Sequence, residues 1–256
     1  MGINDAAGQT LPEFKRGAVK PIECLKDGWE LIKDQYWLFV GMSVVGLLMG
    51  SAAMGLLTGP IMCGIYVALF RQHAREPVEF ATLFKGLDYF ADAVIAWLLH
   101  AVPVTLVVGP LYLIYFAMMI TQMMARRRGD PSIVLGYLAA IGICMPLIII
   151  LLAIISVIFV FAYPLIVDRG LSGMKAVKLS YKAAMANFWS LFGLLLLNGL
   201  LGTAGGFICG VGFYFVLPVT YAALFVAYLQ VFGATKRPPP RTPPPPPAFA
   251  SLESGG

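Results

Sequence analysis

The run PSIVLGYLAAIGICMPLIIILLAIISVIFVFAYPLIV, from Pro131 to Val167, contains no charged side chain. About 18 consecutive apolar residues already make a candidate for a membrane span, and this run is twice that. Three other blocks share the pattern. Nothing charged lies between Asp34 and Arg71, between Asp92 and Arg126, where His100 stands alone, or from Ala183 to Thr235. The 256 residues are 59% hydrophobic and 12% charged, with a mean hydropathy of +0.83. A soluble domain carries about 25% charged residues. The composition therefore predicts an all-α, polytopic integral membrane protein. The net charge of +5 fits basic loops facing anionic lipid better than a nucleic-acid partner.

Block length sets the expected number of crossings. One span takes about 20 residues to cover a hydrocarbon core of about 30 Å. The first three blocks hold about 33 to 37 residues each, so a single straight helix through one would be roughly 50–55 Å long. Two legs of about 16 residues would reach about 24 Å each, tolerable with local thinning. Turn residues fall where such legs would meet: Gly50-Ser51-Ala52-Ala53, Gly109-Pro110, Gly142 to Pro146, and Gly205-Gly206 to Gly212. The expectation is eight short-to-normal transmembrane helices arranged as four hairpins, with six as the alternative. Four hairpins put all 18 Lys and Arg on one face, which the positive-inside rule makes cytoplasmic, together with both termini. Residues 1–34 are polar and the first apolar stretch begins near Tyr36, later than a cleavable signal would place it.

The segments between blocks carry helical patterns. Ile22, Leu25, Trp29 and Ile32 recur at helical spacing, and Met174, Val177, Tyr181, Met185 and Phe188 do the same. Beside the second stripe, Lys175, Lys178 and Lys182 form a basic one, suited to anionic headgroups at the membrane surface. Trp29, Tyr36-Trp37 and Leu38 to Gly41 echo Tyr181, Phe188-Trp189 and Leu191 to Gly193; Tyr66 to Phe70 echoes Tyr221 to Phe225. Each unit reads as an amphipathic entry helix followed by a hairpin, in a parallel repeat. Past residue 235, Arg237 to Pro247 is proline-rich, a spacer in extended conformation that could also dock a protein partner's aromatic groove. Three regions result: a cytoplasmic N-terminal segment 1–34, a transmembrane domain 35–235, and a tail 236–256.

Gly28-Trp29-Glu30-Leu31, Gly59-Pro60-Ile61-Met62, Leu83-Phe84-Lys85-Gly86-Leu87, Tyr163 to Leu171 and Ala227 to Gly233 resemble a family of uncharacterised polytopic bacterial inner-membrane proteins. The resemblance covers roughly residues 20–235 and leaves the tail outside. It implies a multi-pass protein of the inner membrane, with no agreed activity and no catalytic residues to carry over.

Chemistry-bearing motifs are sparse. No phosphate loop, paired-histidine metal motif or nucleophile elbow occurs. Cys24, Cys63, Cys144 and Cys209 are too far apart to suggest a disulfide framework or a zinc site. No cofactor is expected. Asp92 lies two helical turns before His100, so the pair could line an ion path, and Asn198 would hydrogen-bond between helices. Gly46 with Gly50, and Gly202, Gly206 and Gly210, have helix-packing spacing that also suits self-association. The reading is a non-enzymatic scaffold, assembly or envelope-associated protein. A transporter or channel for a small or apolar solute is the alternative, ahead of a lipid-modifying enzyme.

Overall fold

A computed structural model describes residues 13–125, 131–207 and 211–233, and all secondary structure among them is helical. The helices are α1 (Pro21–Ile32), α2 (Tyr36–Ala52), α3 (Thr58–His73), α4 (Phe90–Ala125), α5 (Pro131–Phe159), α6 (Ala162–Arg169), α7 (Gly173–Ala186), α8 (Phe188–Phe207) and α9 (Gly212–Phe232). Short 3-10 segments, Lys33–Gln35 and Phe80–Tyr89, lead into α2 and α4. Between α2 and α3 the chain reverses through Met54 and Gly55, both at positive φ (51° and 86°), where glycine relieves the strain that a side chain would meet.

The second and third blocks depart from the expected hairpins. Helix α4 runs unbroken for 36 residues through Pro103 and Pro110, and α5 for 29 residues through Pro146. The His100 ring stacks on Phe159 at 4.7 Å, so the start of α4 lies beside the end of α5 and the two run antiparallel. A proline inside a helix forfeits one backbone hydrogen bond. A turn opens several backbone groups, which in lipid must find partners inside the protein. Two 16-residue legs would also fall short of the hydrocarbon thickness, so one long helix is the better solution. Among the described residues five helical segments are long and apolar enough to cross a membrane: Pro21–Ala52, Phe80–Thr121, Pro146–Arg169, Phe188–Phe207 and Gly212–Phe232. The 16 residues of α3 are not in that set. Because α4 ends at Ala125, roughly 50 Å of helix from Phe90, the placement of every basic residue on one face no longer follows for Arg126 to Arg128, which lie outside the described residues.

Three antiparallel pairs, α2/α3, α4/α5 and α8/α9, are each entered by a shorter segment that packs on the end of the pair before it. The 3-10 segment Phe80–Tyr89 packs on α3, α7 packs on α5 and α6, and α1 closes the ring by packing on α9. The two-unit repeat in the sequence is thus joined by a third unit. Its echoed positions meet: the rings of Phe70 and Phe225 are edge-on at 4.8 Å. Backbone closeness requires glycine at Gly28, where a Cβ would stand 2.7 Å from the Ala223 amide nitrogen. Between α5 and α6, Pro164 cannot donate to the carbonyl of Val160. Ser180 of α7 bridges that break, its Oγ accepting from the Phe161 N–H at 3.1 Å and donating to the Ile158 carbonyl at 2.6 Å.

The buried core collects where the entry segments sit. Phe39, Tyr66, Leu69, Phe161, Leu165, Leu179, Phe225 and Tyr228 are all buried there, and we call this end the base. From it the helical pairs extend as arms with apolar outer surfaces. Met54 and Phe207, at the ends of two arms, are 95% and 87% exposed, and Tyr112 to Ala117 of α4 are exposed in succession.

Candidate functional site

The three intramembrane polar candidates do not form one site. Asp92 is half-buried, and its Oδ1 accepts from the Gly173 N–H at 3.1 Å. It thereby caps the first turn of α7, where a carboxylate suits the unsatisfied amides and the positive end of the helix dipole. His100 lies about 12 Å further along α4 and stacks on Phe159, with its buried Nε2 lacking a hydrogen-bond partner among the described residues. Asn198 on α8 is buried, and neither its Oδ1 nor its Nδ2 has a partner among those residues. The interhelical hydrogen bond expected of it is not made to any described residue.

The most elaborate polar cluster among the described residues is at the base, in residues that entered the sequence reading only through the family resemblance. Asp168, at the end of α6, is 1% exposed. Its Oδ2 accepts from the Tyr228 hydroxyl at 2.5 Å and from Arg169 Nε at 3.0 Å. Arg169 Nη2 also donates to the Phe232 carbonyl at 3.3 Å, satisfying one acceptor in the last turn of α9. A buried carboxylate is tolerable only when paired and hydrogen-bonded, and here the pairing fastens α6 to α9. Gly170, at φ 59°, ends α6 immediately after the latch. The available signal was an Asp-Arg pair closing a charge-free run.

Two amides fasten the N-terminal segment to the same end. Asn187, at the α7–α8 junction, accepts from the Ala18 N–H at 3.0 Å and donates to the carbonyls of Lys15 and Ala183. Gln230 Oε1 accepts from the Lys20 N–H at 3.0 Å and from the Cys24 thiol at 3.3 Å. The Lys15 N–H reaches the Val231 carbonyl at 2.9 Å. Residues 13–20 form a strap across the end of α9.

The entry helices turn only part of their apolar stripes inward. In α7 the buried side is Gly173, Ala176, Leu179, Ser180, Ala183 and Ala184, while Met174, Tyr181 and Met185 of the expected apolar stripe are exposed. In α1, Cys24, Gly28 and Ile32 are buried while Ile22 and Trp29 are exposed. Lys178 and Lys182 are exposed and Lys175 is half-buried. Of the packing glycines, Gly46 lies against Ile61 of α3 and Gly50 against Thr58. Gly202 makes only ordinary contact with Phe213, and Gly206 faces open space. Gly205 against Gly212 is the close approach of that hairpin, and Gly210 lies outside the described residues. Among the described residues no group of three or more His, Cys, Asp or Glu could hold a metal ion.

Among the described residues the fold is all-helical, with several helices long and apolar enough to cross a membrane, and most of its buried polar groups fasten its own elements together. The chain belongs to the family described as Domain of unknown function (DUF7847), whose model matches residues 22–251. That match continues past residue 235 and takes in the proline-rich run, which the resemblance left outside. No curated protein and no solved structure matches the chain.

Proposed function

We propose that this chain is a non-enzymatic scaffold, assembly or envelope-associated protein of a bacterial inner membrane, multi-pass, with both termini cytoplasmic. The observation that carries this reading is how the buried and half-buried polar groups of the base are employed. Asp168, Arg169, Tyr228, Asn187, Gln230, Ser180 and Asp92 each tie one element of the protein to another. The arms offer outward apolar side chains, a surface matched to lipid or neighbouring helices and poor in groups that would recognise a polar solute. The bond from the Lys15 N–H to the Val231 carbonyl supports a common side for the two ends. The proline-rich tail is a docking segment for a protein partner, and contact between arms is the route to a homo-oligomer.

A transporter or channel is the second reading, favoured by the unpartnered buried atoms of His100 and Asn198. Flux assays separate the two. Proteoliposomes containing the full chain are assayed for proton and small-solute flux, alongside a variant carrying Asp92→Asn, His100→Gln and Asn198→Leu. The scaffold reading expects both to match empty vesicles. A flux present in the wild type and abolished in the variant overturns it.

A further inference from the structure

We propose that the outward face of α7 is a binding surface for anionic phospholipid headgroups, and that the equivalent face of α1 is not. At 3.6 residues per turn, Tyr181, Met174, Met185, Lys178, Lys182 and Lys175 occupy one arc of about 120°. The opposite arc is buried against α4, α5 and α6. Tyr181, Met174 and Met185 are 50%, 45% and 39% exposed, so the outer arc joins an apolar edge to a basic one. Trp189, in the first turn of α8, is 81% exposed just beyond. Tryptophan is enriched where a membrane meets water. This is the composition of a helix seated at headgroup depth: apolar side chains enter the acyl boundary and lysines stay level with the phosphates.

The charge is of one sign. From Arg169 to Gly233 there is no acidic residue. Lys178 and Lys182 form no ion pair among the described residues, and Asp92 is engaged at the far end of the helix, at Gly173. Helix α1, which holds the corresponding place in the repeat, is built differently. Lys20, just before it, pairs with Glu23 at 3.0 Å, and Lys33, just after it, pairs with Glu30 at 2.5 Å; Lys26 within it is followed directly by Asp27, and Lys33 by Asp34. Residues 20–34 thus set four acidic side chains against three lysines, whereas residues 173–186 carry three lysines and no acidic residue. The difference selects α7 for an anionic partner. A lipid surface fits better than a soluble anion, because the apolar half of the arc would otherwise remain in water.

The inference rests on the membrane reading, and the test keeps the two apart. The full chain, purified in neutral detergent, is titrated with phosphatidylglycerol or phosphatidylcholine of matched acyl chains, and bound lipids are counted by native mass spectrometry. Phosphatidylglycerol is expected to bind the more tightly. With roughly fivefold per lysine near an anionic surface, K178Q/K182Q weakens its tightest site about thirtyfold and leaves phosphatidylcholine unchanged. K178R/K182R retains the preference, and so does K20Q/K33Q. Equal binding of the two lipids by wild type overturns the site, as does a preference that survives K178Q/K182Q. A chain that stays monodisperse without detergent overturns the membrane reading itself.

Discussion

Removing the Tyr228 hydroxyl should loosen the whole base, because the latch it completes joins α6, α9 and the final carbonyls of the bundle. Tyr228→Phe deletes one hydrogen bond to the buried Asp168 carboxylate, leaving Arg169 in place. A hydrogen bond to a charged group contributes about 1.5–3 kcal/mol. In a chain of this size each kcal/mol moves the unfolding midpoint by about 2–4 °C, so the expected drop is about 3–12 °C. Asp168→Ala is more severe. It strands the Arg169 guanidinium and the Tyr228 hydroxyl together, and breaking a buried pair costs about 3–5 kcal/mol, or about 6–20 °C. Because the two residues share one interaction, Asp168→Ala with Tyr228→Phe should fall short of the sum by about 1.5–3 kcal/mol. The protein carries its own reporter, since the Cys24 and Cys63 thiols are buried and not joined in a disulfide. With Cys144 and Cys209 replaced by alanine, a thiol-reactive fluorogenic dye reads exposure of the base during heating in detergent. Midpoints for both single variants within 2 °C of the parent would refute the latch.

The N-terminal strap depends on Asn187, so Asn187→Ala should hasten tryptic cleavage after Lys15 or Arg16 by tenfold or more, given about 1–3 kcal/mol for the stranded groups; an unchanged digestion rate counts against the strap. Gly28→Ala drives a methyl into the backbone of Ala222 and Ala223 and should cost about 1–3 kcal/mol in the same thermal assay. Gly206→Ala, facing open space, should leave the midpoint unchanged or slightly raised, and equal effects of the two would refute the packing argument. A single cysteine at Gly109, on a background without the four native ones, should resist a membrane-impermeant maleimide from either side, because α4 passes through that position unbroken. Labelling there would restore the hairpin.

Membrane character was legible because charge is excluded from hydrocarbon whatever the tertiary arrangement, and the four charge-free blocks record that exclusion directly. Helicity followed, since a spanning backbone must satisfy its own hydrogen bonds. The crossing pattern was less legible. Glycine and proline at Gly109-Pro110 and Pro146 mark a turn in water, but within α4 and α5 they remain inside a helix. What covers the apolar stripe in α7 was not legible for a related reason. Periodicity finds an apolar face without saying whether lipid or protein covers it. Close helix packing favours small residues, so Ala176, Ala183 and Ala184 went inward and Met174 and Tyr181 outward.

From the sequence alone came the apolar helical class, the repeat of entry helix and hairpin, and the basic composition of α7, all of which are properties of local order and local charge. Only the tertiary structure showed that the third unit completes a ring, that Asp92 caps α7, and that Asp168, Tyr228 and Arg169 form a latch. Asp168 and Tyr228 are 60 positions apart. Which distant partner a buried polar group finds depends on how the helices pack, and spacing along the chain does not encode it.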